Sequence, residues 1–336
     1  MRPPTHLWSQ MMRSSRIGVL VLLSLFVLVG ANCSYYNRVM ARKDLVDGSN
    51  AYKDRKFPEA ERLFRAAVSR DPKGESIEGQ TAQLFLARTL HSIYIGDRKN
   101  TAKAEDAIAE YQKSLALNQN DQSSYKAIAS LYENLQKTDE WLDWVTRRSQ
   151  NASIQPEQRA EALTSLASKK NSCANDISDT EATKKKTTKD GKPAYSFVKP
   201  ASVEDYEKMK KCIGEGMQLI DQAVALEVDK VKNAKSIDIR GLKDNELLPT
   251  QDLLKVFESA RSYKMSLLIQ SMRLAEMDGR TPDRDRFKTE SDAAKAKFVE
   301  LSEVVKGIQK EIDDRNAAKE AEAGKNVNAN AANAAK

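Results

Sequence analysis

An all-α fold of paired helices is what this sequence predicts, and three observations carry that expectation. Among 336 residues only 13 are Gly and 9 are Pro, so helices can run long with few breaks. Ala, Leu, Lys, Glu and Gln, all strong helix formers, recur throughout, and no run alternates convincingly as a strand. Hydrophobic residues make up 40% and charged residues 31%, a balance suited to a soluble helical protein. The length accommodates two ordinary domains or one elongated stack of helices.

The chain opens on a leader. Residues Ile17 to Ala31 read IGVLVLLSLFVLVGA, preceded by Arg13 and Arg16 and closed by Gly30 and Ala31. A positive region, a short apolar run and small residues mark a secretory signal over residues 1–32, and the run is shorter than the ~20 residues a spanning helix needs. Cys33 follows at once, and LVGANC resembles a bacterial lipobox, in which the Cys is lipidated; Asn32 departs from the Gly, Ala or Ser usual before it. Cleavage after Val29-Gly30-Ala31 and retention as a signal anchor are the two other routes. All three put the body outside the cytoplasm, lipid-anchored or free on the periplasmic side of a cell envelope.

If Cys33 is lipidated, Cys173 and Cys212 remain as an even pair, which in an oxidising compartment suggests one disulfide; two small buried thiols is the other reading. The formal net charge is +7, of which residues 1–32 supply Arg2, Arg13 and Arg16 with no acid, leaving +4 on a body whose bases and acids are mostly interspersed.

Repeats fix the architecture. Gly48 to Pro72 reads GSNAYKDRKFPEAERLFRAAVSRDP: a small residue at Gly48, Tyr52 closing a first helix, Phe57-Pro58 opening a second with Pro in its first turn, Ala60, Phe64 and Ala67 at helical spacing, and Asp71-Pro72 as the stop. This segment strongly resembles a tetratricopeptide unit. A second copy begins near Thr81, with Leu86, Ala87 and Leu90 on its first helix, Ala107, Tyr111 and Ser114 on its second, and an extra loop IGDRKNTA between. A third spans Gln122 to about Ser153, with Tyr125, Ile128, Ala129 and Tyr132 on one face, and Trp141 and Val145 replacing the small-plus-aromatic pair of its second helix.

A degenerate copy follows over 154–230. Leu163, Leu166, Ala167 and Cys173 share a helical face, and residues 176–201, polar and Lys-rich, read as a long mobile insertion between its two helices. Ser202 caps the partner helix, whose stripe is Tyr206, Met209, Ile213, Ile220 and Ala223, with Cys212 beside it. If the two helices pair antiparallel, Cys173 and Cys212 approach each other. Residues 231–316 hold a linker to about 249, a helix marked by Leu253, Phe257, Tyr263, Leu267 and Met272 that Gly279 ends, and a last helix after Thr281-Pro282. That helix carries the heptad stripe Ala294, Phe298, Leu301, Val305, Ile308 and Ile312, suited to closing the end of the stack or, alternatively, to self-association. Residues 317–336 read as a disordered polar tail.

Catalytic chemistry is not expected. The two histidines are His6, in the leader, and His91, so no multi-His metal site can form; GxSxG, a Gly-rich phosphate loop and CxxC are absent, and Asp313-Asp314 point apart on a helix. No cofactor, metal or nucleic acid is implied. Surface shape remains: the resemblance implies an α-solenoid whose first helices line the concave side, with Tyr52, Arg88, His91, Lys126 and Glu133 as candidate contacts for a peptide or protein partner of a monomeric scaffold.

Overall fold

The computed structural model describes residues 35–189 and 191–334. The expected leader over 1–32 and Cys33 therefore lie outside the described residues. The chain forms two compact units, Met1–Thr138 and Asp139–Lys336, dividing within the segment Gln122–Ser153. Helices packed against one another in pairs make up most of both.

The first unit stacks α1 (residues 35–53), α2 (Phe57–Arg70), α3 (Ile77–Gly96), α4 (Thr101–Leu117) and α5 (Gln122–Asn134), and ends where α6 (Thr138–Gln150) begins. α1 and α2 run antiparallel, with Arg70 Nε on Asp44 Oδ2 at 2.8 Å and Phe64 seated on Gly48. A Cβ at Gly48 would lie 2.8 Å from the Phe64 ring, so the glycine is what lets the two helices approach. Phe64, Ala60 and Ala67 are completely buried. The extra loop of the second pair shrinks to residues 97–100: Ile95 and Gly96 complete α3, and Asn100 caps α4 by accepting from the Lys103 N–H at 3.4 Å.

One turn recurs. Arg55 (φ 58°), Gln136 (φ 57°) and Gly279 (φ 68°) each hold the left-handed conformation just past a helix. In each, the next N–H reaches back five residues: Lys56 to the Ala51 carbonyl, Lys137 to Tyr132 and Arg280 to Ala275, at 2.8 to 2.9 Å. The following helix starts two residues after the left-handed one every time, at Phe57, Thr138 and Thr281. The same helix stop thus serves pairs whose side chains have diverged.

The second unit comprises α6 from Asp139 on, α7 (Pro156–Ser178), a two-stranded hairpin of β1 (Lys184–Lys189) and β2 (Lys192–Phe197), α8 (Val203–Ala225), a short α9 (Asp229–Lys232), α10 (Asp244–Met277) and α11 (Thr281–Ala334). α7 and α8 pair antiparallel, α10 lies along both and antiparallel to α8, and α11 runs back along α10. Ala160, Leu163 and Ala167 of α7, Ile220 and Ala223 of α8, Leu254 and Phe257 of α10 and Leu301, Val305 and Ile308 of α11 share one core. The heptad stripe of the last helix is therefore spent inside the chain.

Three stretches differ from expectation. Residues 176–201, expected as one long insertion loop, carry the end of a helix and a hairpin among the described residues. α7 runs on to Ser178, and strands 184–189 and 192–197 pair in register from Lys184↔Phe197 to Lys189↔Lys192, with Gly191 at φ 74°. Thr187, Thr188, Tyr195 and Phe197 supply the strand propensity that the lysines mask. The linker to 249 is shorter: α10 begins at Asp244, whose first turn is fixed by the Glu246 carboxylate accepting the Lys243 N–H at 2.9 Å, and Pro249 lies inside it. The segment expected as a disordered tail continues α11 to Ala334, since Ala-rich sequence sustains helix, and Lys319 reaches Asp244 at 2.6 Å.

Candidate interaction face of the first helices

In the first unit, α1 and α3 lead the pairs α1–α2 and α3–α4, α5 packs on α4, and side chains join α1 to α3 and α3 to α5. The Tyr52 hydroxyl of α1 meets Ser92 Oγ of α3 at 3.2 Å. The Arg88 guanidinium of α3 donates to Ser123 Oγ of α5 at 3.1 Å. Both side chains converge on Phe85: the Tyr52 ring stands edge-on to it at 6.0 Å, and the Arg88 guanidinium carbon lies 5.4 Å from its centroid. Phe57 and Phe64 extend the aromatic nest, 5.5 Å from Tyr52 and 5.6 Å from Phe85 respectively.

Local sequence sets this up. Phe85, Arg88 and Ser92 are spaced three and four apart, so they share one stripe of α3. Ser123 is positioned by the cap of α5, where Asp121 accepts its N–H at 3.0 Å and its hydroxyl at 2.8 Å. Burial pushes the Asp121 carboxyl up, but the hydroxyls and amides of Ser124 and Ser123 outweigh it and hold the pKa below the usual carboxylate range.

His91 goes elsewhere. Its Nδ1 lies 3.4 Å from the Tyr111 hydroxyl of α4, the rings edge-to-face at 6.0 Å, in the seam of its own pair. Burial, with help from Arg98, lowers the His91 pKa, and burial raises that of Tyr111. Lys126 and Glu133 are both exposed, seven residues apart on one stripe of α5. The structure thus brings Tyr52 and Arg88 together, sets Lys126 and Glu133 along the next helix, and turns His91 inward. Phe85, Ser92 and Ser123 were missed by sequence reasoning; the three-and-four spacing of the first two with Arg88 was the available signal.

The other predicted site residues lie in the second unit. Cys173 and Cys212 form a disulfide, Cα to Cα 6.2 Å, tying α7 to α8. Nearby, the Arg273 guanidinium stacks on Phe197 of β2 at 4.5 Å and donates to Asn175 Oδ1 at 3.2 Å and Ser178 Oγ at 3.1 Å. The Asp278 carboxylate accepts from the Tyr206 hydroxyl at 2.6 Å and pairs with Lys199 at 2.9 Å and Arg280 at 3.0 Å. Although burial opposes it, those bonds pull the Asp278 pKa down to about 2. These contacts fix the base of the hairpin to α7, α8 and α10. Among the described residues no group of three or more His, Cys, Asp and Glu could hold a metal ion, and no helix is long and apolar enough to cross a membrane.

No family model matches the sequence, and no curated protein matches it. Among solved structures, a chain from work on the functional characterization of Pseudomonas aeruginosa pilF is 14% identical, covers 79% of this chain and 97% of its own, and superposes with a TM-score of 0.29. A tetratricopeptide repeat protein from Parabacteroides merdae is 11% identical over 79% of this chain and 98% of its own, with a TM-score of 0.28. Scores this low carry no argument, and the architecture rests on the helix packing described above.

Proposed function

We propose that this chain is a non-enzymatic scaffold on the periplasmic side of a cell envelope, lipid-anchored or secreted, which holds a peptide or protein segment along the leading helices of its first unit during assembly of an envelope complex. The observation that carries this reading is the convergence of Tyr52 and Arg88 on Phe85, which makes α1, α3 and α5 one continuous face bearing an aromatic surface and a guanidinium. Such a face supplies anchors of the kind that dominate protein interfaces. It offers binding chemistry.

The chain acts as a monomer in this reading. The stripe that could have driven self-association, Leu301, Val305 and Ile308, is already buried against α10. Co-purification from the native envelope tests the proposal: Arg88→Ala combined with Lys126→Ala should lose the partner while retaining the wild-type circular dichroism. Unchanged recovery by a folded double variant refutes this binding face. Intact-mass analysis of the mature chain tests the anchor, by reporting cleavage and acylation at Cys33.

A further inference from the structure

The inward face of α1 is fully used: Ala41, Asp44, Gly48 and Ala51 are buried against the first unit. Its outward face is unusual for a soluble helix. Tyr35, Tyr36, Val39 and Val46 are 73%, 60%, 48% and 51% exposed. At 3.6 residues per turn these four fall, together with Arg42, Lys43 and Lys53, within an arc of about 120°. Within α1 no acid lies inside that arc; Asp47 stands on its border and pairs with Lys43 at 3.1 Å, and Asp54, the first residue past α1, stands at its edge and pairs with Lys56 at 3.4 Å. The stripe is aromatic and apolar along its centre, and its only charges are cationic.

What precedes α1 says what covers this stripe. The apolar run Ile17 to Ala31, flanked by Arg13 and Arg16, ends four residues before Tyr35, and Cys33 stands two residues before it. A chain held at either point by lipid brings Tyr35 and Tyr36 to the bilayer interface, where tyrosine rings settle at headgroup level and Lys and Arg stems lie along apolar surface while their charges reach lipid phosphates. We infer that the outward face of α1 lies on an anionic phospholipid surface, as a second membrane contact that orients the first unit. This rests on the anchored form of the proposed function. Cationic charge without acid distinguishes a phospholipid surface from a second copy of this helix, which would set like charges against each other.

Hydroxyl-radical footprinting of the full chain in vesicles tests it, with phosphatidylcholine vesicles compared with phosphatidylcholine containing phosphatidylglycerol. Oxidation of Tyr35 and Tyr36 is normalised to Ile77, which is 66% exposed on the same unit. Both tyrosines should react several-fold more slowly on the anionic vesicles than on the neutral ones. The Val39→Glu, Val46→Glu double variant should recover their reactivity while still floating with the vesicles. Protection equal on both vesicle types, absent on both, or unchanged in the double variant overturns the inference and leaves the anchor standing. A chain that does not float with the vesicles overturns the anchored reading itself, and the inference with it.

Discussion

Gly48 of α1 and Phe64 of α2 are in direct contact, with no room between them for a methyl group. This pairing sets how closely α1 and α2 approach, since Phe64 is wholly buried and its ring rests where a Cβ would be. Gly48→Ala should therefore destabilise the protein by about 1–3 kcal/mol through overpacking. Phe64→Leu in the same chain should return part of that loss. Thermal unfolding of the two variants and of their combination reads both effects.

The recurrent turn makes a prediction of opposite sign. Arg55 and Gln136 occupy the left-handed position where Gly279 stands in the third instance, and a non-glycine residue there costs roughly 1–2 kcal/mol. Glycine gives back part of the gain through the entropy of its unfolded chain. Arg55→Gly and Gln136→Gly should each raise stability by about 0.5–1 kcal/mol in denaturant titrations.

His91 gives the first unit a pH dependence. Its folded pKa lies below the ordinary value of about 6.5, so the unfolded chain takes up the proton first. The neutral ring's contribution is complete above that value and drains away as pH falls through it toward the folded pKa. Stability measured between about pH 7 and pH 5 should fall in the wild type and fall less in His91→Gln.

Closing a loop of 39 residues, the Cys173–Cys212 bridge should restrain the unfolded second unit by about 4 kcal/mol. Reductant, or Cys173→Ser with Cys212→Ser, should lower the denaturant midpoint of that unit and leave the first unit's transition where it was.

Most of the first unit was legible because its determinants are local: the small residue at Gly48, Pro58 in a first turn, Phe64 between two alanines. The paired helices of the second unit were legible through their apolar stripes, and Ser202 and Gly279 marked their ends. The hairpin was not. Its strands draw their order from Phe197 under Arg273 and from the Asp278 cluster, contacts more than seventy residues apart in sequence, while lysine-rich composition imitates a solvated loop. The proposed interaction face was half legible. Tyr52 and Arg88, expected on one face by position, do meet at Phe85, whereas His91, expected beside them, has its polar partner, Tyr111, across the seam of its own pair. Periodicity alone does not say which of two neighbouring helices a border residue will turn toward.

Site-specific photo-crosslinking in the native envelope tests the central claim most directly. A photoreactive residue placed at Arg88 or at Lys126, on the leading helices, should capture one discrete partner, and one placed at Arg62, exposed on α2, should not. Equal capture from all three positions, or capture from Arg62 alone, would contradict a binding face formed by α1, α3 and α5.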